Sequence, residues 1–400
     1  MSFDVAEVHF LTDNAPQITA ATADLALSKK SMISDIAALR DTFGDQGRAV
    51  AELAGARRSV AGKLPQEWLL CHDSAQQTTP MAVSAERARR LKEALGEGVL
   101  VHDVTCSIGT EGHAVLDAGL HYLGSDIDMP RLLMAQFNLS LHPSSAASGG
   151  KPELLQADAL VPATTGADVI IADPARRNNG RRITDPAQLL PPLPSLLETW
   201  SSTPIAVKCA PGVDFSGWQG LVSLASVDGG VKEACLYSPQ LAQGETREAV
   251  VIRGDHLDCL NDLLEDGGGE SLAREPGDFI IDPDGAIVRA GLVRHYAIRE
   301  GLWMLDDRIA YLTGNRIPEG TSGFRFLEEV PLKKLKSALA ALKAGSVEIL
   351  VRGVDVDPDQ LRKKLQLKGS APFAVVVTRI GSRGVALICG PREFSSAATL

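Results

Sequence analysis

Two carboxylates frame a turn of small residues in the first third of the sequence. An apolar run, Val99–Val104, contains Asp103 and leads through residues 105–112 into a segment with helical character. A second apolar run is followed by Asp126, 23 residues beyond Asp103. In a strand–turn–helix–strand unit, an acid at the end of the second strand can accept hydrogen bonds from both hydroxyls of a ribose. The spacing therefore predicts an adenosine-containing ligand, with a purely structural turn as the alternative.

The charge of this turn favours one class of adenosine compound. A dinucleotide carries a pyrophosphate, which binds to bare amides at the start of a helix and is repelled by acids such as Asp103 and Glu111. The same acids attract the ammonium and sulfonium groups of S-adenosyl-L-methionine. The turn also lacks the G-x-G-x-x-G spacing of nicotinamide and flavin enzymes. We therefore predict S-adenosyl-L-methionine as the cofactor.

Residues 97–255 resemble the class I S-adenosylmethionine-dependent methyltransferases. The turn looks like the glycine-rich motif I of that family, although Thr105 and Ser107 stand where glycine is commonest. The resemblance implies that Asp103 lies near the methionine part of the cofactor, Asp126 at the ribose and Asp158 at the adenine. The implied cofactor-binding residues are Asp103, Thr105, Ser107, Gly109, Gly112, Asp126, Asp158 and, upstream of motif I, Gln77.

The candidate catalytic residues follow a strand of buried character. Residues 167–172 run into Asp173-Pro174-Ala175-Arg176 at the strand end, where ligands bind in α/β proteins. This segment resembles motif IV of methyltransferases that act on nucleic-acid bases, written Asp/Asn-Pro-Pro followed by an aromatic residue or an arginine. The resemblance implies that Asp173, Pro174 and Arg176 hold the reacting group against the methyl group. Ala175 and Arg176 depart from the usual motif, and an Asp-Pro strand terminator is the alternative.

Two further segments could carry chemistry. Cys209 follows Lys208, which could lower the pKa of the thiol and make it a nucleophile, as in pyrimidine-C5 methyltransferases. An inert cysteine is the alternative, because the serine and asparagine of that family's loop are absent. Gln77 and Thr78 resemble a segment that covers the cofactor in several RNA methyltransferases, with a turn and an N-capped surface helix as the alternative.

The elements that must position these residues form an alternating pattern. Short apolar runs alternate with helix-length segments between residues 97 and 255, which is typical of a parallel sheet covered by helices. The runs are Val99–Val104, Tyr122–Ser125, Leu154–Gln156, Asp168–Ala172, Ile205–Cys209, Ala234–Tyr237 and Ala249–Ile252. Residues 238–246 are too few for a crossover helix, so the last two runs are predicted to pair antiparallel at the sheet edge. We predict an α/β fold with a seven-stranded Rossmann-like methyltransferase sheet.

Composition changes along the chain predict the domain boundaries. Residues 1–96 place apolar residues at helical spacing and predict a helical N-terminal domain. Residues 97–255 form the sheet domain, and residues 256–324 form a connector or a small additional unit. Residues 325–393 predict a small α+β domain, with helices over 332–342 and 357–365 and strands over 347–351, 374–378 and 384–389.

The C-terminal segment is basic in an acidic chain. Residues 325–393 carry 13 Lys and Arg against 7 Asp and Glu, although the whole chain has a net charge of −10. Together with the helical start and residues 173–177 and 208–214, this tail resembles the bacterial methyltransferases with a C-terminal THUMP-like domain, over nearly all 400 residues. THUMP domains are associated with RNA, so the resemblance implies an RNA base as substrate. The tail and the loop Arg176–Arg182 would then bind RNA phosphates, and a solvated basic face is the alternative.

The composition excludes several other classes of protein. With 44% apolar and 22% charged residues, the chain can bury its own cores and is neither disordered nor fibrous. The six cysteines lie far apart and do not combine with the eight histidines at metal-ligand spacing, so we predict no disulfide framework and no metal site. The apolar stretches are short, and the uncharged run Pro186–Leu197 contains four prolines, so no transmembrane helix is expected. The start shows no leader pattern, which predicts a cytoplasmic protein.

Three functions are compatible with these patterns. The leading hypothesis is an S-adenosylmethionine-dependent methyltransferase that modifies a base of structured RNA, tRNA or rRNA. The second is a methyltransferase that acts on a small molecule or a protein, with the basic tail packed against the catalytic domain. The third is a catalytically silent protein that binds the cofactor or RNA.

Overall fold

The computed structural model describes residues 3–28, 30–144, 153–175 and 185–395, together with the backbone of residues 177–178 and 181–182. The chain forms two compact units, residues 1–223 with 232–244 and residues 224–231 with 245–400. In the part of the chain that is described, no helix is both long and apolar enough to cross a membrane. Arg176, a predicted catalytic residue, lies outside the described residues.

The first unit begins with six helices and continues as alternating strands and helices. Its helices are α1 (Val5–Asp13), α2 (Ala15–Thr22), α3 (Met32–Phe43), α4 (Gly47–Ser59), α5 (His72–Gln77), α6 (Met81–Leu95), α7 (Thr110–Asp117), α8 (Met129–Ser140) and α9 (Leu193–Thr199). Its strands are β1 (Leu100–Asp103), β2 (His121–Asp126), β3 (Glu153–Gln156), β4 (Val169–Ala172), β5 (Arg177–Asn178), β6 (Arg181–Arg182) and β7 (Ile205–Cys209). The following strands, β8 (Leu221–Val227) and β9 (Gly230–Tyr237), each have residues in both units.

A parallel sheet forms the core of the first unit. β1 pairs in parallel with β2 and β4, β2 pairs with β3, and β4 pairs with β7, which gives the order β7-β4-β1-β2-β3. β9 pairs antiparallel with β7. The α/β fold predicted from the sequence is therefore confirmed.

The predicted edge hairpin is wrong in its pairing. The run Ala234–Tyr237 belongs to β9 and pairs antiparallel with β7, whereas Ala249–Ile252 pairs antiparallel with His256–Asn261. The cause is a reversal that the prediction missed. Asp228 and Gly229 have positive φ angles of 50° and 77°, as a two-residue hairpin turn requires, so the chain reverses between β8 and β9.

The carboxyl ends of three neighbouring strands bring three of the predicted acids to one edge. Every residue of β4 and β7 is buried, as expected for strands covered on both faces. The register places Asp103 opposite Gly124 of β2 and Ile171 of β4. Asp103 and Asp126 end β1 and β2, and Asp173 directly follows β4. Ligands of α/β proteins bind at such an edge.

Asn138 of α8 connects the N-terminal helices to the turn after β1. Its side chain is fully buried, and its Nδ2 donates hydrogen bonds to the carbonyl oxygens of Leu69 and Ile108. The backbone N–H of Leu69 donates in return to its Oδ1 at 2.7 Å. Trp68, Ile108 and neighbouring apolar residues share one core. Since a buried amide without partners costs free energy, these bonds fix the turn against the helical segment.

The second unit contains a seven-stranded sheet. Its helices are α10 (Gly285–Ala290), α11 (Val293–Glu300), α12 (Leu335–Ala341) and α13 (Pro358–Leu365). Its strands are β10 (Arg247–Arg253), β11 (His256–Asn261), β12 (Phe279–Ile281), β13 (Trp303–Asp306), β14 (Ile309–Gly314), β15 (Ser322–Pro331), β16 (Ala344–Val351), β17 (Ala371–Ile380) and β18 (Arg383–Phe394). The sheet order is β13-β14-β12-β15-β18-β17-β16, with β16 and β17 parallel. The helices and strands predicted within residues 325–393 are confirmed, with ends that differ by a few residues.

Candidate active site

The turn after β1 is held by the carboxylates that surround it. Ser107 and Gly109 have φ angles of 49° and 88°, and this left-handed backbone carries the chain into α7. The N–H of Thr105 donates to Asp103 Oδ1 at 3.1 Å, and the N–H of Ser107 donates to Asp126 Oδ2 at 2.9 Å. The backbone of the turn is therefore tied to the ends of two strands, where a ligand can approach it closely.

Gly112 lets α7 lie against β2. A Cβ atom at Gly112 would come within 2.6 Å of the Tyr122 ring and 2.8 Å of the Leu139 side chain. Tyr122 is buried, so its ring has little room to move away. Gly112 was predicted as a cofactor-binding residue of the turn, and its position shows a packing role between helix and strand.

Asp126 ends β2 beside an exposed apolar side chain. Asp126 is only 7% exposed, and the N–H of Asp128 donates to its Oδ1 at 3.0 Å. Burial raises the pKa of Asp126 above its ordinary value, although these backbone donors oppose the shift. The next residue, Ile127, is 69% exposed. The pair offers a carboxylate for hydroxyl groups and an apolar surface for a flat ring.

Asp158 and Gln77 lie at the surface of the first unit. Asp158 is exposed, and its Oδ1 accepts a hydrogen bond from the N–H of Leu160 at 2.9 Å. Gln77 is exposed at the end of α5. The hydroxyl oxygens of Thr78 and Thr110 lie 2.8 Å apart, so the segment before α6 reaches the start of α7. These positions are compatible with contacts to a ligand at the turn.

Asp103 is almost fully buried, with 2% exposure. Burial and the nearby Glu111 raise its pKa to about 7, and Lys208 opposes this shift. The hydroxyl of Tyr122 donates to its Oδ2 at 3.4 Å. Near neutral pH, Asp103 therefore titrates, and a cation bound beside it would favour its ionised form.

A group of charged residues, of which all but Asp173 are buried, lies next to Asp103. We call it the ion network: Arg87, Glu111, Lys208, Asp173 and Glu233. Lys208 Nζ lies 2.9 Å from Asp173 Oδ2 and 3.1 Å from Glu111 Oε1. Arg87 pairs with Glu111, with Nε to Oε2 at 3.1 Å, and with Glu233. Buried charges require such partners, because each unpaired ion would lose its hydration without compensation.

The sequence predicts that Glu111 attracts the cationic cofactor, but in the structure Glu111 pairs with Arg87 and Lys208. Burial alone would raise the pKa of Glu111, but Arg87 and Lys208 together lower it to about 2. The hydroxyl of Ser84 also donates to Oε1 at 3.2 Å. The charge of Glu111 is thus permanent and balanced by two cations of the protein. Asp103 is the acid of this turn whose charge can respond to a ligand.

Asp173 connects the strand-end loop after β4 to the turn after β1. Its backbone N–H donates to Thr105 Oγ1 at 2.6 Å, and its side chain is 26% exposed. The following residue, Pro174, is buried and fixes the backbone beyond the acid. Of the ion network, Asp173 has the most exposed side chain, so it can reach a substrate.

Cys209 is buried beside a lysine whose ammonium group already pairs with two carboxylates. Its side chain is fully buried at the end of β7. Neighbouring residues of a strand point to opposite faces, and the ammonium group of Lys208 forms ion pairs with Asp173 and Glu111. The hypothesis that Lys208 activates Cys209 therefore loses its geometric basis.

Sequence reasoning missed Arg87 and Glu233 as parts of this site. One signal was available, because Lys208 interrupts the otherwise apolar run Ile205–Cys209. A lysine in a fully buried strand is rare unless it is paired, so its position predicts acidic partners. The two acids that pair with Lys208, Glu111 and Asp173, are 35 or more residues away from it in sequence, and only the fold identifies them.

Comparisons with known proteins identify the family of the chain. A family model described as THUMP domain-like matches residues 321–391. An uncharacterized S-adenosylmethionine-dependent methyltransferase of Mycobacterium tuberculosis (strain CDC 1551 / Oshkosh) is 44% identical over 372 residues, covering 88% of this chain and 99% of that protein. A protein of the same description from strain ATCC 25618 / H37Rv gives the same values.

The fold has a solved counterpart of nearly full length. It is a crystal structure from Porphyromonas gingivalis W83 to which a methyltransferase function is attributed, with a TM-score of 0.69 and 18% identity, covering 98% of this chain and 99% of that one. At this identity the likeness concerns the fold alone. The identity to the mycobacterial proteins, over most of both chains, decides the family. The chain belongs to the S-adenosylmethionine-dependent methyltransferases, and S-adenosylmethionine is its cofactor.

Proposed function

We propose that this methyltransferase modifies a base of structured RNA, tRNA or rRNA. One observation carries the proposal: among the described residues, the second unit exposes many lysines that form no ion pair. The THUMP domain-like match over residues 321–391 supports it, since that segment contains the same lysines. Transfer to a base, rather than to the sugar or phosphate, follows from the likeness of residues 173–176 to motif IV.

The exposed lysines surround two helices. Lys336 Nζ donates to the carbonyl oxygen of Lys364 at 3.2 Å, so the start of α12 lies beside the end of α13. The lysine surface comprises Lys333, Lys334, Lys336, Lys343, Lys363, Lys364 and Lys368, all exposed. Within the described ranges none of them forms an ion pair, whereas Arg325, Arg362, Arg383 and Arg392 each pair with a carboxylate. Ammonium groups without acidic partners can bind phosphates and release counterions.

The positions of several predicted residues at the sheet edge support an assignment of the cofactor contacts. We assign Asp126 to the ribose hydroxyls, Ile127 to one face of the adenine ring and Asp158 to the adenine edge. We assign the backbone of the turn at Thr105, Ser107 and Gly109 to the methionine part, with Asp103 facing its ammonium group. Gln77 and Thr78 would cover this part from the segment before α6. The left-handed turn and the carboxylate of Asp126 at the end of β2 fit this ligand.

The chemistry then requires little more than positioning. S-adenosylmethionine supplies a methyl group bonded to a positively charged sulfur, which keeps the bonding electron pair when the methyl group leaves. Asp173 accepts a hydrogen bond from the target group and so directs its lone pair toward the methyl carbon. The proton of the target group leaves to water. Holding the two reactants in a near-attack pose can contribute about 7 to 11 kcal/mol.

Transfer of labelled methyl groups tests this function. Purified protein and labelled S-adenosylmethionine are incubated with total RNA or with an RNA-free extract of proteins and small molecules. We expect label in RNA nucleosides with the wild-type protein, and a rate at least about a hundredfold lower with Asp173→Ala. Asp185→Ala, a change at an exposed acid of the same loop, serves as the control and should retain the rate.

The other outcomes identify the competing functions. Label only in the RNA-free extract would assign the enzyme to a small molecule or a protein. Cofactor binding without transfer to either pool would indicate a catalytically silent protein. An unchanged rate for Asp173→Ala would remove Asp173 from the reaction.

A further inference from the structure

Lys208 occupies an unusual position in the core of the first unit. It lies in β7, whose five residues are all buried, and it is the only charged residue of that strand. A buried ammonium ion is costly unless carboxylates and hydrogen bonds compensate its lost hydration. Lys208 has two carboxylates within 3.1 Å, Asp173 and Glu111. Two carboxylates from different parts of the site therefore compensate the lost hydration of the Lys208 ammonium group.

The two partners of Lys208 come from the segments assigned to the cofactor and to the substrate. Glu111 is the second residue of α7 and follows the turn that receives the cofactor. Asp173 follows β4 and is assigned to the substrate. Glu111 is also held by Arg87 and Ser84, so it is a fixed point on the cofactor side. The ammonium group of Lys208 contacts both Glu111 and the more exposed carboxylate of Asp173, so it links Asp173 to a residue that is held in place.

We propose that Lys208 is a positioning residue for methyl transfer: its ammonium group holds the Asp173 carboxylate at a fixed place relative to Glu111 and the turn after β1, and its positive charge acts on the nearby Asp103 carboxylate. The part that concerns Asp173 rests on the proposed function, and the part that concerns Asp103 does not. Lys208 touches neither cofactor nor substrate in this assignment and acts through the two acids.

The electrostatic part follows from the charges that face Asp103. Glu111 and Asp173 are negative and favour its protonated form, whereas Lys208 is positive and favours its ionised form. Tyr122 and the N–H of Thr105 complete its surroundings with hydrogen bonds. With its pKa at about 7, Asp103 is close to balance at neutral pH. Removal of one neighbouring charge therefore changes the fraction of Asp103 that is ionised at neutral pH.

The pH dependence of cofactor binding measures this effect without turnover. The dissociation constant of S-adenosylmethionine is measured by calorimetry between pH 6 and 8.5 on the wild type, Lys208→Met, Glu111→Gln and the double variant. In the wild type, affinity should rise through pH 7 as Asp103 ionises, and level off near pH 8 where the α-amino group of the ligand begins to lose its proton. Neutral Asp103 offers no charge to that amino group.

The two single variants should shift the pH midpoint of the rise in S-adenosylmethionine affinity in opposite directions. Lys208→Met should move the midpoint upward by on the order of one pH unit, because an attractive charge is gone, so affinity at pH 7 falls about fivefold. Glu111→Gln should move it downward, because a repelling charge is gone. The double variant should return close to the wild-type midpoint, since the two changes cancel. A purely structural role would instead weaken binding equally at every pH.

Thermal melting identifies variants that do not fold. If Lys208→Met is unfolded, Glu111→Gln and the double variant still test the charge balance. Midpoints that coincide with the wild type in all folded variants would overturn the electrostatic part of the proposal.

Turnover tests the contact with Asp173. At saturating S-adenosylmethionine, Lys208→Met should lower the rate of methyl transfer to RNA about tenfold or more while the RNA concentration for half-maximal rate stays the same, and Lys208→Arg should recover part of the rate. An unchanged rate for Lys208→Met would overturn the positioning role. If the wild type transfers no methyl group to RNA, the proposed function fails, and the binding profiles still decide the role of Lys208.

Discussion

Asp126 combines two tasks in one carboxylate. Its Oδ2 accepts the N–H of Ser107 and its Oδ1 accepts the N–H of Asp128, so it ties the cofactor turn to the end of β2. Each carboxylate oxygen can accept a second hydrogen bond, and these remaining positions are the ones assigned to the ribose. A residue with both tasks should affect ligand affinity more strongly than a neighbour that only caps a helix.

Replacement of Asp126 tests this assignment at the residue scale. We expect Asp126→Ala to weaken binding of S-adenosylmethionine between about tenfold and a hundredfold, because charged hydrogen bonds to the ribose are lost. Asp128→Asn is the matched control. Asp128 caps α8 through Arg131 N, and asparagine caps equally well, so its affinity should stay at the wild-type value. Calorimetry gives both constants, and equal affinities of Asp126→Ala and the wild type would contradict the assignment.

The sequence predicted which acids lie at the sheet edge better than it predicted their charge. Asp103, Asp126 and Asp173 each follow or end an apolar run, and strands that run parallel bring such ends together. The state of Glu111 could not be predicted, because it depends on Arg87 and Lys208, which the fold brings in from other segments. Burial of Asp103 likewise depends on Tyr122 and on the packing of α7.

Close packing of α7 on β2 is the element-scale feature that positions the turn. The helix starts at Thr110, directly after the turn, and Gly112 brings its first turn against Tyr122. Any side chain at this position would push the helix, and with it the turn, away from the sheet edge. Gly109 therefore allows the left-handed backbone of the turn, and Gly112 allows α7 to pack closely on β2.

A methyl group at Gly112 should destabilise the first unit. We expect Gly112→Ala to lower the free energy of unfolding by about 1 to 3 kcal/mol, because the new Cβ meets a buried ring with little freedom to move. Gly166→Ala is the matched control, since nothing lies within 4 Å of its Cβ position and its φ is not positive. The control should stay within about 0.5 kcal/mol of the wild type in denaturant unfolding. Equal stability of the two variants would contradict the packing role.

Strand order was the least predictable feature at this scale. Five parallel strands were placed correctly because their apolar runs are bounded by helix-length segments. β8 was missed, although Asp228-Gly229 is a strong signal for a two-residue hairpin turn. Without that reversal, residues 234–237 read as another parallel strand. The direction of one strand thus depended on two turn residues.

At the scale of the whole molecule, acidic and basic functions belong to different units. The first unit contains Asp103, Asp126 and the ion network, and the second contains the lysine surface. The arginines of residues 325–393 contribute less to free charge than their number suggests, because several pair with neighbouring carboxylates. The sequence predicted the basic segment, but only the structure separates its paired arginines from its lysines.

Matched charge removals test the lysine surface. Lys363→Gln with Lys364→Gln should weaken RNA binding and reduce the slope of log affinity against log salt by about 0.7 to 0.9 for each RNA phosphate that is no longer neutralised. Arg325→Gln with Arg383→Gln removes the same number of cations, but from pairs with Glu393 and Glu329, and should change the slope less. Filter binding of tRNA at salt concentrations from about 50 to 300 mM measures the slopes of both double variants. Equal slopes for the two double variants would contradict an RNA-binding role for these lysines.

Asn138 shows how far the catalytic machinery extends toward the amino end. One amide side chain joins the carbonyl groups of Leu69 and Ile108, and Ile108 lies inside the turn after β1. The leading helices are thus interior parts of the enzyme and not an appendage. A shortened protein that began at β1 would lose this brace of the turn after β1, so a fragment that keeps the turn in place must retain the residues around Leu69.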